Sequence, residues 1–505
     1  MNLSDLIDRN AAFAPDKTAL RFNGQAWSYA EFARRIDALA SAMQSGLGVQ
    51  SGHRIAVLAL NSPDYLTLLY ACARLGATLV PLNWRLAVPE QMFILDNAGV
   101  SVLFVAEAFD AICKPLSETS RESIVVGLDY QPEHGWLLAE LLAMNGVAVR
   151  KPHGNWSTPV LIVYTAGTTG RPKGAVLTQQ ALLWNGMMSQ HMHAMTAEDH
   201  VLTVLPFFHV GGLNIQTTAA LHAGATVTVH PRFMPDDTLR AIAEDRPTLT
   251  VMVPATIQAL VDHASWWSVD LSCLRAVTTG STLVPQQLVD AVTGRGVPVL
   301  QVYGSTETCP ISIYTRLGGD LSRAGSAGLP GLLCDARVVD ETGRDVQPGI
   351  LGEILVRGPN VLIEYWENAV ATADALRDGW FWTADMAYRD ADGYFYIHDR
   401  KSNLIVSGGE NIYPAEIERV LLEHSEVAEA AVIGVADPRW QEVPVAFIVV
   451  RSGAIVAPDD LRALLLSQLA RFKVPRDVVF VDQLPRNALG KVQHFRLKES
   501  WTATS

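Results

Sequence analysis

Along most of the chain, short apolar runs alternate with longer stretches whose apolar residues recur at helical spacing. Arg54–Leu60 reads as a strand. Asn61-Ser62-Pro63-Asp64 then supplies a helix cap, a first-turn proline and an acid near the helix N-terminus, and Gly76 ends the helix. Thr78–Pro81 reads as the next strand. Thr226–Val229, Leu249–Val253, Leu274–Thr278 and Val297–Val302 repeat this unit with helical segments between them. The alternation predicts an α/β protein with a large N-terminal domain of layered, largely parallel sheets. In such sheets ligands gather at the carboxyl ends of the strands. Between Arg337 and Val356 short strands with Gly-rich turns (Glu341-Thr342-Gly343, Pro348-Gly349) predict a small β subdomain. After Arg400 the pattern shifts again. Pro414–Glu423 reads as an amphipathic helix, Ala428–Val435 and Val443–Val450 as strands, Pro458–Leu469 as a helix and Val478–Val481 as a strand. We therefore expect an N-terminal domain over 1–400 and a small α+β C-terminal domain over 401–505, divided near Arg400–Asn403.

Composition narrows the class. With 505 residues, 49% apolar and 18% charged, the chain has material for several domains around large cores. No apolar run approaches the ~18 residues of a membrane span. Met1–Phe13 carries Asp5 and Asp8 and lacks a signal pattern, so a cytoplasmic protein without integral membrane association is expected. Cys72, Cys113, Cys273, Cys309 and Cys334 are scattered and odd in number, which predicts reduced thiols and no metal cluster. A net charge of −13 disfavours nucleic acid as a partner. One segment departs from that balance: between Arg471 and Lys498 seven basic residues face only Asp477 and Asp482, a local excess of +5.

The strongest chemical signal is Tyr164-Thr165-Ala166-Gly167-Thr168-Thr169-Gly170-Arg171-Pro172-Lys173-Gly174, directly after the apolar run Val160–Val163. Glycines let backbone N–H groups converge on a polyphosphate, hydroxyls donate to its oxygens, and a lysine adds a mobile charge. The spacing is not that of a Walker loop.

This segment resembles the phosphate loop of the adenylate-forming superfamily, which comprises acyl-CoA synthetases, peptide-synthetase adenylation domains and luciferases. Further segments match in order: Pro206–His209, Tyr303–Thr308, Thr383–Asp385, Asp399-Arg400, Ser407–Asn411, Pro414–Glu418 and Pro485–Lys491. The resemblance implies an acyl-CoA synthetase using ATP, Mg²⁺ and coenzyme A. A carboxylate would first displace pyrophosphate from ATP, and the acyl-adenylate would then pass its acyl group to the CoA thiol. By the same resemblance, Thr165, Gly167, Thr168, Thr169, Gly170 and Lys173 hold the phosphates, and Glu307 with Thr168 places Mg²⁺. Gly280, Ser281, Tyr303 and Gly304 border the adenine, and Thr306 reaches the α-phosphate. Asp385 takes the ribose hydroxyls beside Arg400, and Lys491 donates to the α-phosphate.

The family rotates a mobile C-terminal domain about a hinge near 400–403, so that Lys491 serves the first half reaction and Ser407–Asn411 the second. Gly408 and Gly409 would then line a pantetheine channel gated by His209. Trp440, Phe472, Lys473 and Arg476 resemble the elements that contact the CoA nucleotide. The chain departs from the family pattern at Ser402 (usually Asp or Lys), Ala384 (commonly Gly), Glu364 (usually Gly) and Thr279–Thr282. A homodimer is compatible with this reading.

Other readings are a stand-alone enzyme loading a carrier protein, a luciferase-like oxidation, and a non-catalytic acyl or nucleotide sensor. Phe208-His209-Val210 offers no carboxylate to an ammonium, and no carrier domain is expected after Lys498. Lys173, Glu307, Asp385 and Lys491 speak against a sensor. The expected pocket walls, Val210–Leu213, Gly280–Leu283 and Thr308–Ile313, contain no Lys or Arg. A second substrate carboxylate would be buried there unpaired, so an uncharged acyl tail is expected, aromatic or a medium- or long-chain fatty acid. If Lys491 serves only the first half reaction, Lys491→Ala should slow adenylation by ~10²–10³. Thioester formation from presynthesised acyl-adenylate should continue; equal loss in both half reactions, assayed separately, would refute the division.

Overall fold

The computed structural model describes residues 1–117, 123–144, 153–165, 172–280, 284–407, 410–437, 440–469, 471–486 and 492–502. The expected α/β architecture is present. Compactness separates the chain into Met1–Ser281, Leu288–Ala336 and Val356–Phe381 as one unit, and Thr282–Gln287, Arg337–Leu355 and Trp382–Ser505 as another. The small β subdomain therefore groups with the C-terminal residues, and the compact units part elsewhere than at 400–403.

The first unit holds two large sheets. In one, strands Val299–Tyr303, Ala276–Gly280, Leu249–Met252, His200–Thr203, Thr226–Val229 and Thr18–Phe22 pair side by side in parallel. Antiparallel strands Ile313–Tyr314 and Gln25–Ser28 extend it. In the other, Pro159–Thr165, Thr78–Pro81, Arg54–Leu58, Val100–Val105 and Ile124–Gly127 run parallel. Lys173–Thr178 and Glu364–Tyr365 add antiparallel strands beside Pro159–Thr165.

Two strands start later than the apolar runs suggest. Leu274 is buried but turns back, its N–H donating to the Leu271 carbonyl, so pairing begins at Ala276. Pro298 has no N–H to give the ladder, and the next strand begins at Val299. Both strands also run past the apolar stretches, and their ends, Gly280 and Tyr303, are what matters for the site.

Helix Pro63–Leu75 shows how sequence becomes packing. Ser62 accepts a hydrogen bond from the Tyr65 N–H at 3.3 Å, Pro63 opens the helix, and Gly76 closes it at φ 72°. The helix is buried nearly all round, so its one cation must be paired. Arg74 reaches Asp8 at 2.6 Å and Asp37 at 2.9 Å, and also donates to Ser4 Oγ. These contacts join helices Ser4–Phe13, Tyr29–Ser45 and Pro63–Leu75. Arg74 is buried whereas both acids are nearly half exposed, so loss of either one leaves the guanidinium the other as partner.

In the second unit, strands Asp335–Val339, Gly352–Arg357, Trp380–Arg389 and Phe395–Arg400 form a small sheet. A further sheet carries Glu410–Ile412, Ile405–Ser407, Gln441–Val450, Val427–Asp437 and Asp477–Phe480. Its two faces follow the period-2 alternation of the strands. Val432 and Ile448 pack with Ile417 and Leu461, whereas Ile433 and Phe447 pack with Leu484 and Leu497. Among the described residues, no helix is long and apolar enough to cross a membrane.

Two histidines held away from solvent, His193 fully buried and His222 partly so, make this fold sensitive to acid. His193 donates from Nδ1 to the Ser189 carbonyl at 2.7 Å and meets the Thr278 hydroxyl at Nε2, 2.8 Å away. His222 Nε2 lies 3.0 Å from the Tyr70 hydroxyl. Burial pushes each imidazole down to about 4. Below the unfolded value near 6.5 the unfolded chain binds protons that the folded one refuses. Stability therefore falls as pH drops from about 6.5 to about 4, by up to about 3 kcal/mol per histidine. Chemical denaturation across this range should show the midpoint falling with acid, and His193→Gln should flatten the dependence.

Candidate functional site

The predicted phosphate loop joins two paired strands. Thr165 ends Pro159–Thr165, Lys173 begins Lys173–Thr178, and the two residues face each other across the ladder. Gly167, Thr168, Thr169 and Gly170 lie outside the described residues, as do Ser281, Gly408, Gly409 and Lys491. Beside Lys173, Tyr365 lies on the next strand, in register with Ala175. The Lys173 ammonium sits 5.5 Å from the centre of the Tyr365 ring, and the Tyr365 hydroxyl donates to Glu307 Oε1 at 2.9 Å. The structure thus brings Lys173 and Glu307 together through one aromatic side chain. Among the described residues, no three His, Cys, Asp or Glu gather into a metal cage. Glu307, as a carboxylate, is the kind of hard oxygen donor that Mg²⁺ takes.

Gly280 and Tyr303 finish adjacent parallel strands, at the carboxyl edge where the alternating pattern puts ligands. A Cβ at Gly280 would lie 2.1 Å from the Val302 carbonyl oxygen, and one at Gly304 only 1.6 Å from that of Pro310. Both positions therefore exclude any side chain, and the backbone itself forms the surface. Thr306 is buried in the single turn Thr306–Thr308 that also presents Glu307.

His209 comes from the loop after strand His200–Thr203 and opens the short helix Val210–Gly212. Its Nδ1 accepts from the Gly211 N–H at 3.0 Å, so in the neutral ring the proton sits on Nε2. Asn61, read from sequence as part of a helix cap, instead anchors this loop. Its Oδ1 accepts from the Phe207 N–H, and its Nδ2 donates to the carbonyls of Leu205 and His230.

In the second unit Asp385 is buried on strand Trp380–Arg389, opposite Arg400 in register. Ala384, where the family commonly has glycine, takes φ 58°. That left-handed conformation costs an L-residue roughly 1–2 kcal/mol, and neighbours hold it. Glu353 Oε1 accepts the Ala384 N–H at 3.1 Å, and Thr383 Oγ1 donates to the Ile354 carbonyl while accepting the Asp385 N–H. The other oxygen of Glu353 receives Lys401 Nζ at 3.1 Å. Sequence reading passed over Glu353, because an acid in a strand ordinarily reads as a solvated face.

The basic segment is less free than its sequence suggests. Lys473 Nζ donates to both oxygens of Glu416 at 2.7 Å. Arg476 pairs with Asp437 at 2.8 Å and Asp477 at 3.0 Å, and Arg486 with Glu429 at 2.8 Å. Counting opposing acids within the segment alone misses Glu416, Asp437 and Glu429. Phe472 and Trp440 are exposed, and the backbone N–H of Trp440 donates to Asp437 Oδ1 at 2.8 Å. The ends of the stretch holding Lys491 are fixed: Arg486 bridges Val492, and the Gln493 N–H donates to the Pro485 carbonyl.

Comparison with known proteins places this arrangement. The family model described as AMP-binding enzyme matches residues 7–366, and that of the AMP-binding enzyme C-terminal domain matches 416–491. An indoleacetate–CoA ligase of Aromatoleum aromaticum is 50% identical, over 98% of this chain and 97% of its own. A feruloyl-CoA synthase of an Amycolatopsis species is 39% identical over 96% of each chain. Among solved structures, o-succinylbenzoate CoA synthetase (MenE) from Bacillus subtilis with its acyl-adenylate intermediate superimposes with a TM-score of 0.87. It is 30% identical and aligns over 99% of this chain and 98% of its own. The same enzyme bound to ATP and magnesium ion gives 0.88. The two matched models account for both the phosphate-loop region and the C-terminal sheet: the chain belongs to the AMP-binding enzyme family and is an ATP-dependent carboxylate–CoA ligase.

Proposed function

We propose that this ligase activates an aromatic carboxylate, an arylacetate foremost, and transfers it to coenzyme A. In the first step a carboxylate oxygen bonds to the α-phosphorus of ATP, and the bond to the pyrophosphate oxygen breaks. In the second the CoA thiolate attacks the acyl carbonyl, forming the C–S bond as AMP leaves. Lys173 and the loop 166–171 hold the polyphosphate, and Glu307 takes Mg²⁺, which would neutralise charge on the transferring phosphoryl group. Gly280, Tyr303 and Gly304 border the adenine, and Asp385 binds the ribose. The pivot at 400–403, the donor role of Lys491, the channel role of Gly408 and Gly409 and the gating role of His209 belong to the same proposal. So does the CoA-nucleotide surface at Trp440, Phe472, Lys473 and Arg476.

The observation that carries the aromatic reading is end-to-end similarity, at 50% identity, to a ligase named for indoleacetate. It narrows the expectation drawn from sequence, which left fatty acids open. The geometry agrees with an uncharged acyl tail. Val210–Leu213 and Thr308–Ile313 are buried throughout and contain no basic residue, so a second carboxylate would lose its hydration there without gaining a partner.

A panel of indole-3-acetate, phenylacetate, ferulate, decanoate and malonate, assayed for pyrophosphate release with and without CoA, tests the proposal. The arylacetates should exceed malonate by on the order of 10²-fold in kcat/KM. Decanoate as the best substrate would overturn the aromatic reading. CoA-independent turnover would overturn the acceptor.

A further inference from the structure

We propose that Tyr365 is the positioning residue of the polyphosphate site, acting as both a tether for Glu307 and a spacer between Glu307 and Lys173. The proposal rests on the reading above, in which these two residues meet the nucleotide's phosphates and Mg²⁺. Glu307 belongs to an isolated turn of three residues, too short to hold a side chain by its own packing. Two contacts from the Leu362–Tyr365 segment fix it. The Leu362 N–H donates to the Glu307 carbonyl at 2.7 Å, and the Tyr365 hydroxyl donates to Oε1 at 2.9 Å. A single donor on one carboxylate oxygen restricts rotation about the last side-chain bond and leaves Oε2 for a cation.

Tyr365 is itself held from several sides. It is 8% exposed, and its strand pairs with Lys173–Thr178. Its N–H donates to Thr372 Oγ1 at 2.9 Å, and the next N–H, of Trp366, donates to the Gly174 carbonyl at 2.7 Å.

The spacer role follows from charge. A lysine and a glutamate this near would ordinarily close into an ion pair, and each would then be lost to the nucleotide. Among the described residues no ion pair joins them, and the Lys173 ammonium instead lies over the ring face of Tyr365, 5.5 Å from its centre. The ring's negative face holds a cation without neutralising it. The same side chain thus presents a positive and a negative group side by side, each unquenched by the other, to a ligand that needs both.

The test separates the hydroxyl from the ring. Tyr365→Phe keeps the spacer and removes the tether, whereas Tyr365→Leu removes both. Binding of AMP and of the non-hydrolysable ATP analogue α,β-methylene-ATP is measured by calorimetry against Mg²⁺ concentration. In Tyr365→Phe the Mg²⁺ needed for half-maximal analogue binding should rise about 10-fold, as expected on losing a hydrogen bond to a charged group. AMP, which lacks the β- and γ-phosphates, should bind as in wild type. Tyr365→Leu should also weaken the analogue at saturating Mg²⁺. An unchanged Mg²⁺ requirement in Tyr365→Phe overturns the tether, and unchanged saturated affinity in Tyr365→Leu overturns the spacer. Parallel loss of AMP affinity would make Tyr365 merely structural. Wild-type protein that binds the analogue without regard to Mg²⁺ would instead remove the underlying reading of Glu307.

Discussion

Parallel strands buried on both faces leave almost no room for polar chemistry within a sheet. In this protein six parallel strands lie side by side from Val299–Tyr303 to Thr18–Phe22, most of their residues covered. Functional groups are therefore displaced to the places where strands stop, and small differences in where they stop decide what is presented. Gly280 and Gly304 show how tight this is, since neighbouring carbonyl oxygens occupy the volume a Cβ would need.

Charge is handled differently in the two units. Around Glu307 and Lys173 the opposite charges are kept apart by an aromatic ring, so the free energy of meeting a ligand is not already used up inside the protein. Around Lys473, Arg476 and Arg486 each cation already has a carboxylate. The more exposed pairs of Arg476 and Arg486 contribute little stability, about 0–1 kcal/mol, and a phosphate arriving there would exchange partners with a carboxylate. The two surfaces carry similar residues but differ in electrostatic readiness.

Much of this was legible in the sequence, because it was local. Apolar runs alternating with helical stretches announce the parallel sheets, and Ser62-Pro63 with Gly76 marks both ends of one helix. What the sequence concealed depends on pairs distant in the chain. Tyr365 meets Glu307 and Lys173 only because the strand at Glu364–Tyr365 lies beside Lys173–Thr178. Glu353 meets Ala384 and Lys401 only because two strands of the small sheet carry them together. Asn61 looked like a cap and is a clamp on the His209 loop, since Ser62 alone satisfies the helix end. The basic segment looked unbalanced because its counter-charges come from elsewhere in the chain.

Strand Thr18–Phe22 pairs with Thr226–Val229, Leu20 standing opposite Val227. In a chain made from its N-terminus, the first hairpin, Thr18–Phe22 with Gln25–Ser28, emerges long before its parallel neighbour exists. At roughly 5–20 residues per second, about 10–40 s separate the two on the ribosome. Throughout that interval one side of the Thr18–Phe22 strand has no native partner. The helix Ser4–Phe13 is in a similar position until Arg74 has been made. Of the six parallel strands, Thr18–Phe22 thus waits longest for its neighbour, and the nascent chain carries an open strand edge in the meantime.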